Sequence, residues 1–521
     1  MKIIDVLQKT KENWKSGLTV SLISLPLAVT LAVASHASPV QGVITAIWAG
    51  LISSLFGGSN YNIIGPTGAL SGLLSSYAIL HGANILPTLA ILSGILIFGA
   101  YLFKLEKYLV FVPSSTIHGF VLGVALIIML NQMNFALGLL NLPVHESFVQ
   151  NVYETLSHSI SFSPVSAILF ACSLAILWAL SKLVPYIPGA ILISPFGIIL
   201  GYLSSHQILS LQLQTLETKF ANLSPHLMLP FKFSFSAKYV IPALTIAVIS
   251  IIETMISARI ADGMTKTKHN KNKEMLGLSL ANIICGLAGG IPATAALART
   301  TLNIKSGATH KTSAFIGSIC VLIISMLLLG YFKYMPLPVV AAILTMVGIN
   351  MIEVEHFKRM FKADKTNFII AMIVASVTVF EDPIIGILLG ASISMLIFMK
   401  KLSTGQYELN QKSTNKHIEP LIQEDTLIYS IKGELAYINA QSHIARFENV
   451  PPKHKNIVID LRSVSFIDHD GIEACEKIVD ILQTQNKSVR IIGAKALTSK
   501  ITATTHIPHE LTSQTDTIPA Q

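Results

Sequence analysis

The stretch Gly57-Gly58-Ser59-Asn60-Tyr61-Asn62-Ile63-Ile64-Gly65-Pro66-Thr67 leads into a short apolar segment over residues 66–80. The second half of the chain has a similar arrangement, in which Gly289-Gly290 and Pro292 precede an apolar segment over 293–304. Proline is tolerated at the first position of a helix, and the free N–H groups that follow carry the positive end of the helix dipole. Two such helix ends that face each other would form an anion site without a metal ion.

The composition around these stretches is that of a membrane protein. Of 521 residues, 52% are hydrophobic and 12% are charged, and the mean hydropathy is +0.61. A soluble domain carries about 25% charged residues. Fourteen apolar segments are predicted to span the membrane as helices. They cover residues 17–36, 40–57, 66–80, 86–103, 108–131, 164–182, 187–205, 239–261, 274–289, 293–304, 312–332, 336–352, 367–381 and 383–400.

The charged residues between these segments predict the orientation. With the N-terminus inside, the inner connections hold seventeen lysines and arginines and the outer connections hold four. This is the asymmetry that the positive-inside rule requires. We therefore expect a multi-pass protein of the cytoplasmic membrane with both termini in the cytoplasm. The net charge of +9 is spread between apolar blocks, which argues against nucleic-acid binding.

The two halves of the chain are weakly similar to each other. Thr19-Val20-Ser21-Leu22-Ile23-Ser24 matches Thr245-Ile246-Ala247-Val248-Ile249-Ser250 at an offset of 226 residues, and the same offset carries Pro66 onto Pro292. Each half has seven predicted spans, an odd number, so the repeats at 17–205 and 239–400 are predicted to be inverted. The third and tenth helices then enter from opposite faces, and their N-termini meet near the midplane.

Two charged residues are predicted to act at this meeting point. Glu253 lies near the centre of the eighth span, where a bare carboxylate is costly unless it is paired or protonated, so we expect it to carry a coupling proton. Ser257 shares its helix face, and the repeat offset places Leu27 opposite Glu253. Arg299 would neutralise an anion or pair with Glu253; the alternative is contact with lipid headgroups.

The predicted anion contacts are backbone groups and small side chains at the start of the third and tenth helices. Glycine and alanine there would let a ligand approach the N–H groups closely. The residues are Pro66, Thr67, Gly68, Ala69, Leu70, Ala295, Ala296, Leu297 and Arg299. His36, His118 and His310 have no ligand spacing and are interpreted as structural. The sequence shows no metal cluster and no nucleophile–base pair, so neither a metal, a cofactor nor an enzymatic activity is expected.

The composition turns polar after Lys400-Lys401. Residues 1–400 are predicted to form the membrane domain and 401–424 a linker. Apolar runs then alternate with helical patterns over 425–497, which predicts a small cytoplasmic α/β domain. The Thr-, Ser- and Pro-rich tail over 498–521 is predicted to be disordered.

Three motifs resemble the sulfate permease (SulP) family of anion transporters with a C-terminal STAS domain. The first is Leu25-Pro26-Leu27-Ala28 with Gly65-Pro66-Thr67-Gly68-Ala69-Leu70, the second is Glu253 with Asp262-Gly263-Met264-Thr265 and Asn282, and the third is Gly289-Gly290-Ile291-Pro292-Ala293-Thr294 with Ala298-Arg299-Thr300. The resemblance implies a fourteen-helix inverted repeat, divided into a core that carries the substrate and a gate, and it implies homodimers. It implies transport of a small anion of the sulfate, bicarbonate or dicarboxylate class by alternating access.

The resemblance leaves the coupling ion open. Sodium-coupled bicarbonate relatives resemble this chain but have aspartate in place of Glu253 and threonine in place of Leu297, so we favour proton over sodium symport. The alternatives are a sodium-coupled bicarbonate symporter, an uncoupled anion channel and a membrane-tethered STAS signalling protein. In the STAS turn, Asp470 replaces the phosphorylatable residue of similar domains, so we expect a regulatory partner or a dimer contact there without phosphorylation.

Overall fold

The structure is a computed structural model. It describes residues 3–105, 113–139, 142, 148–184, 189–209, 211–220, 223–230, 233, 235–381, 383–403, 406–410, 425–448, 450–508 and 512–515. The chain divides into two compact units, Met1–Ala391 and Ser392–Gln521.

The first unit is built from α-helices, and the last of them continues into the second unit. They are α1 Ile3–Ala34, α2 Pro39–Phe56, α3 Gly68–His81, α4 Leu86–Leu102, α5 Ser114–Asn131, α6 Met133–Leu137, α7 Phe148–Ser157, α8 Pro164–Leu183, α9 Ala190–Ser205, α10 Leu216–Lys219, α11 Val240–Thr265, α12 Lys271–Leu287, α13 Leu297–Lys305, α14 Thr312–Leu328, α15 Leu337–Met351, α16 Val354–Ala363, α17 Lys365–Phe380 and α18 Pro383–Ser403. Short 3₁₀ turns lie at Ala83–Ile85, Ser159–Ser161, Ala237–Tyr239 and Leu329–Tyr334.

Each of the fourteen predicted apolar segments overlaps one of these helices, which confirms a polytopic helical fold. Eight helical stretches in the described residues are long and apolar enough to cross a bilayer, and further apolar helices such as Ala190–Ser205, Lys365–Phe380 and Ile385–Lys400 are shorter. That all fourteen segments cross the membrane stays a prediction.

A two-stranded antiparallel sheet joins the two halves of the chain. Strand β1, Ile64–Gly65, pairs with β2, Thr294–Ala295, so that Ile64 faces Ala295 and Gly65 faces Thr294. The N-cap positions of the two helices that follow these strands, Thr67 and Ala296, are 229 residues apart. The predicted equivalence of Pro66 and Pro292, at an offset of 226 residues, is therefore wrong by three residues, because Pro292 lies before β2 whereas Pro66 follows β1.

Small residues let the helices of the first unit approach one another closely. A Cβ atom at Gly42 of α2 would clash with the carbonyl oxygen of Ala28 in α1, and one at Gly277 of α12 would lie 2.6 Å from the Cα of Gly57. Close backbone approach through glycine is a common means of packing helices in membranes.

The second unit contains a five-stranded sheet with strand order β3-β4-β5-β6-β7. Strands β4 to β7 are parallel, and β3 is antiparallel to β4. The strands are β3 Gln406–Asn410, β4 Thr426–Leu435, β5 Asn456–Ile467, β6 Ser488–Ala494 and β7 Thr512–Thr515, and the helices are α19 Tyr437–Ala445, α20 His469–Thr484 and α21 Lys495–Thr504. Ile459, Ile478 and Leu482 are fully buried in its apolar core.

Two predictions at the edges of this unit are wrong. Strand β3 lies inside the predicted linker 401–424, and β7 and most of α21 lie inside the tail 498–521 that was predicted to be disordered. Ile501 and Ile507 of the tail are buried in the core of the unit. Strand β7 has no apolar residue and is held by backbone pairing with β6, so its sequence carries no strand signal.

Helix α20 begins at the turn that contains Asp470. Asp468 is its N-cap: its Oδ1 accepts from the Gly471 N–H at 2.8 Å and its Oδ2 accepts from the Tyr437 N–H at 2.9 Å. Asp470 is exposed in the first turn, where a negative charge is favourable.

Candidate functional site

Helices α3 and α13 begin next to each other because β1 and β2 pair immediately before them. Thr67 and Ala296 are the N-terminal cap positions, and the Ala296 N–H donates to the Ile63 carbonyl at 3.0 Å. The first N–H groups of a helix have no acceptor within it, so two sets of amide donors converge here. The predicted meeting of the third and tenth helices is therefore present in the structure.

Glu253 and Arg299 lie beside these helix ends. The Thr67 Oγ1–H donates to Glu253 Oε2 at 3.2 Å, which joins α11 to the start of α3. Arg299 Nη2 donates to the Pro66 carbonyl oxygen, and its guanidinium interacts electrostatically with Glu253. Arg299 is only 2% exposed, which contradicts the alternative that it contacts lipid headgroups.

Gly65 provides the space for the guanidinium of Arg299. A Cβ atom at Gly65 would lie 2.9 Å from Arg299 Nη1 and 3.2 Å from Nη2. Any side chain at this position would therefore displace the arginine from the start of α3.

Most of the predicted site residues line one cavity of about 590 Å³. They are Leu27, Pro66, Thr67, Gly68, Ala69, Glu253, Ser257, Ala296, Leu297 and Arg299. Leu70 and Ala295 are fully buried and lie outside this lining. The cavity extends to Ser181, Gly189 and Glu353, which lie at or beside the ends of α8, α9 and α15.

Ser257 is positioned differently from Glu253. Its hydroxyl is within hydrogen-bond distance of Asn62 Oδ1 at 3.0 Å and Thr300 Oγ1 at 3.1 Å, and its side chain is fully buried. The Thr300 hydroxyl also accepts from the Ile63 N–H at 3.1 Å. Ser257 therefore ties α11 to the backbone before β1 and to α13.

A buried carboxylate fixes the loop that leads into β1. Glu274 of α12 is 2% exposed, and its Oε2 accepts from the N–H groups of Gly58 and Ser59, each at 2.7 Å. Its Oε1 accepts from Asn62 Nδ2 at 2.7 Å. Asn62 Nδ2 also donates to the Thr254 carbonyl at 3.2 Å. We call Glu274, Gly58, Ser59 and Asn62 the Glu274 network.

The loop that leads into β2 is held by α2. Thr45 Oγ1 accepts from the Ile291 N–H at 2.7 Å and lies 3.1 Å from the Ile291 carbonyl, and Gln41 Nε2 donates to the Gly289 carbonyl at 3.3 Å. Helix α2 of the first repeat thus holds the loop before β2 of the second repeat. Helix α12 of the second repeat likewise holds the loop before β1 of the first repeat.

The sequence did not reveal the polar residues that position β1 and β2. Besides the Glu274 network, the Ala295 N–H donates to Thr254 Oγ1 at 3.2 Å. Asn282 Oδ1 accepts from the Ala293 N–H, and its Nδ2 donates to the Ala293 carbonyl, each at 2.9 Å. Asn282 belongs to a quoted motif, but the other contacts join residues far apart in the chain, and no local pattern predicts them.

A second cavity, of about 690 Å³, follows the first along the same three helices. Helix α1 lines the first cavity with Ile23 and Leu27 and the second with Val33, and α3 and α5 likewise contribute their early residues to the first and later residues to the second. Thr67, Glu253 and Arg299 line the first cavity and not the second.

The described residues that could together hold a metal ion do not include Glu253. They are His118, Glu353 and His356. Glu253 itself has Thr67, Thr294 and Arg299 as its polar neighbours, a set suited to an acid or an anion rather than to a resident transition metal.

Comparisons with known proteins agree with this architecture. The family model described as the sulfate permease family matches residues 11–374, and the STAS domain model matches residues 417–515. YvdB of Bacillus subtilis (strain 168), whose name assigns it provisionally to sulfate transport, is 30% identical over 98% of this chain and 96% of its own length. The bicarbonate transporter BicA of Picosynechococcus sp. is 25% identical over 93% of this chain and 88% of its own.

A solved structure confirms the fold. The overall structure of SLC26A9 superimposes with a TM-score of 0.82 at 16% identity, covering 99% of this chain and 90% of that one. Together with the paired strands between α3 and α13 and the five-stranded C-terminal unit, these matches show that the chain belongs to the sulfate permease family and carries a C-terminal STAS domain.

Proposed function

We propose that this chain is a secondary active transporter that moves a small anion by alternating access, together with a proton. The observation that carries the proposal is the convergence of the α3 and α13 N-termini beside Glu253 and Arg299 in one cavity. Anions are favoured at helix N-termini by the free amides and by the dipole. The names of YvdB and BicA point to sulfate and bicarbonate as the first substrates to test.

The geometry suggests how anion and proton would be coupled. An anion at the helix ends is attracted by Arg299 and repelled by an ionised Glu253, which bonds to Thr67 at the start of α3. Protonation of Glu253 removes the repulsion, so proton and anion favour each other's binding. Such coupling is reciprocal, and it makes a proton gradient a driving force for the anion.

The residues of this site argue against the alternative of a sodium-coupled symporter. The cap position Thr67 of α3 corresponds to Ala296 of α13, which Leu297 follows, so the hydroxyl at the start of α3 has no counterpart at the start of α13. Sodium prefers oxygen ligands, and Leu297 offers only its backbone.

We place both termini in the cytoplasm, on the distribution of lysine and arginine. The connections at the ends of α8 and α15 are then cytoplasmic, and the 590 Å³ cavity extends toward them. The structure would be an inward-facing state in the cytoplasmic membrane. Homodimerisation and a regulatory partner at the STAS domain complete the proposal.

The test is uptake of labelled sulfate, bicarbonate and fumarate into proteoliposomes, with an inward proton gradient or an inward sodium gradient imposed separately. We expect accumulation with the proton gradient. Accumulation only with sodium would favour the sodium symporter, equilibration without accumulation a channel, and no uptake a signalling protein.

The Glu253→Gln variant tests the proton site. It should retain anion exchange and lose accumulation driven by protons, because a neutral amide imitates only the protonated acid. Glu355→Gln is the matched control, since Glu355 is exposed and pairs with Lys358 on α16. Proton-driven accumulation at the wild-type level in Glu253→Gln would refute the assignment.

Arg299→Ala tests the anion site. The variant removes the buried cation next to the Pro66 carbonyl, so the KM for the anion should rise at least tenfold. Arg259→Ala is the control, because Arg259 is exposed on α11. An unchanged KM in Arg299→Ala would mean that the helix ends alone bind the anion.

A further inference from the structure

His118 and Glu353, which line the 590 Å³ cavity, form a cluster with His356. Their potential ligand atoms all lie within 4.8 Å of one another. His118 Nδ1 is 3.5 Å from Glu353 Oε2, and the two imidazole rings stack with their centroids 3.8 Å apart. The spacing of histidines along the sequence did not reveal this group, because His118 lies on α5 and the other two at the start of α16.

We propose that this cluster is a binding site for a divalent transition metal ion, with Zn²⁺ as the best fit. Two imidazoles and one carboxylate form a borderline ligand set of the kind that zinc prefers, with a fourth position left for water. Ligand atoms about 2.1 Å from a tetrahedral ion lie ~3.4 Å from one another. The cluster therefore needs only small side-chain rotations to close around an ion.

The surroundings of the cluster suit a built site with access from solvent. The side chain of His118 is 20% exposed and that of Glu353 is 48% exposed, so an ion can enter without opening the fold. The Phe357 ring packs edge-on against His118, and the His356 N–H donates to the Glu353 carbonyl at 2.9 Å. These contacts orient ligands from two separate helices toward one point.

The position of the cluster gives a bound ion a consequence for transport, which rests on the proposed function. His118 and Glu353 both line the cavity that contains Glu253 and Arg299. A Zn²⁺ ion held by one carboxylate leaves a net positive charge in the path of the anion. It also links the start of α5 to the start of α16, on the wall of the cavity. Micromolar Zn²⁺ should therefore change the rate of anion uptake.

The experiment measures Zn²⁺ binding to the purified full-length chain, after removal of any affinity tag, by competition with a chromophoric chelator. We expect one ion per chain in the wild type and at least tenfold weaker binding in both His118→Gln and His356→Gln. His158→Gln is the matched control, since His158 also pairs with a glutamate, at 3.3 Å from Glu154, in a place where no third ligand is present among the described residues. Its affinity should equal that of the wild type.

Co²⁺ gives a second readout, because a bound ion with these ligands shows visible absorption bands that depend on both histidines. No Zn²⁺ bound by the wild type, or binding retained in the double variant His118→Gln/His356→Gln, would overturn the proposal. Uptake assays on the same preparations separate the two claims. Metal binding without anion uptake would support the metal site and refute the proposed transport function. Anion uptake without metal binding would refute only the proposed metal site.

Discussion

Replacement of Glu274 by glutamine should destabilise the membrane unit through the Glu274 network. The carboxylate accepts three hydrogen bonds of 2.7 Å. In Glu274→Gln one oxygen can still accept from Gly58 and Ser59, but the new amide NH₂ faces the Asn62 NH₂. Asn62 cannot rotate to accept without losing its bond to the Thr254 carbonyl and presenting its NH₂ to Ser257.

The expected loss follows from these contacts. Hydrogen bonds to a charged group contribute about 1.5–3 kcal/mol each, and neutral ones about half of that. One bond is lost and two are weakened, so the free energy of unfolding should fall by about 3–6 kcal/mol. With an unfolding entropy of ~2.1 cal/mol/K per residue over Met1–Ala391, this lowers Tm by about 4–7 °C.

The assay is thermal denaturation of the full-length protein in detergent, followed by loss of the monodisperse peak on size exclusion. Glu355→Gln is the control, because its pair with Lys358 is exposed to solvent, where screening leaves an ion pair little effect on stability. A Glu274→Gln protein that melts within about 1 °C of the wild type would refute the argument, since the carboxylate would then not hold the loop before β1.

Three further predictions concern other parts of the chain. Gly65→Ala should raise the KM for the anion about tenfold by displacing Arg299, whereas Gly99→Ala, whose added Cβ meets nothing within 4 Å, should leave transport kinetics unchanged. Asp468→Ala removes the N-cap of α20 and should lower the stability of the STAS domain by about 1–2 kcal/mol, measured as faster hydrogen exchange in α20; unchanged exchange would contradict this. Burial lowers the pKa of His443 from 6.5 to about 4, so the folded domain binds fewer protons than the unfolded chain. Its stability should therefore fall as the pH drops from 6.5 toward 4, by about 2 kcal/mol at pH 5, and exchange protection that is equal at pH 5 and pH 7 would contradict the prediction.

The helices of the membrane unit could be predicted from the sequence because apolar runs of the right length are a strong local signal. Glu253 and Arg299 could be found for the same reason, as isolated charges in such runs. The structure places both residues in the 590 Å³ cavity, together with Leu27 and the first residues of α3.

The start of α13 could not be predicted correctly. Pro292 marks the beginning of a helix by local rules, yet the chain after it is extended through β2 and turns helical only at Leu297. What decides this is pairing with β1, together with the bonds from Thr254 and Asn282. A single sequence contains no information on such distant partners.

The C-terminal tail was missed for a related reason. Strand β7 has the polar sequence Thr-Ser-Gln-Thr and is stabilised by its backbone bonds to β6. Composition predicts disorder for such a segment. Its ordered structure depends on pairing with the edge of β6, a partner that the local sequence does not reveal.

In each repeat, a helix holds the loop that leads into the strand of the other repeat, and this arrangement bears on how the fold could have originated. Because α12 holds the loop before β1 and α2 holds the loop before β2, a single repeat cannot complete its own half of the site. An ancestral protein of one repeat would have functioned only as a pair of copies inserted in opposite directions. A modern chain cut between Ser205 and Val240 would regain the site only when both fragments are made in the same membrane.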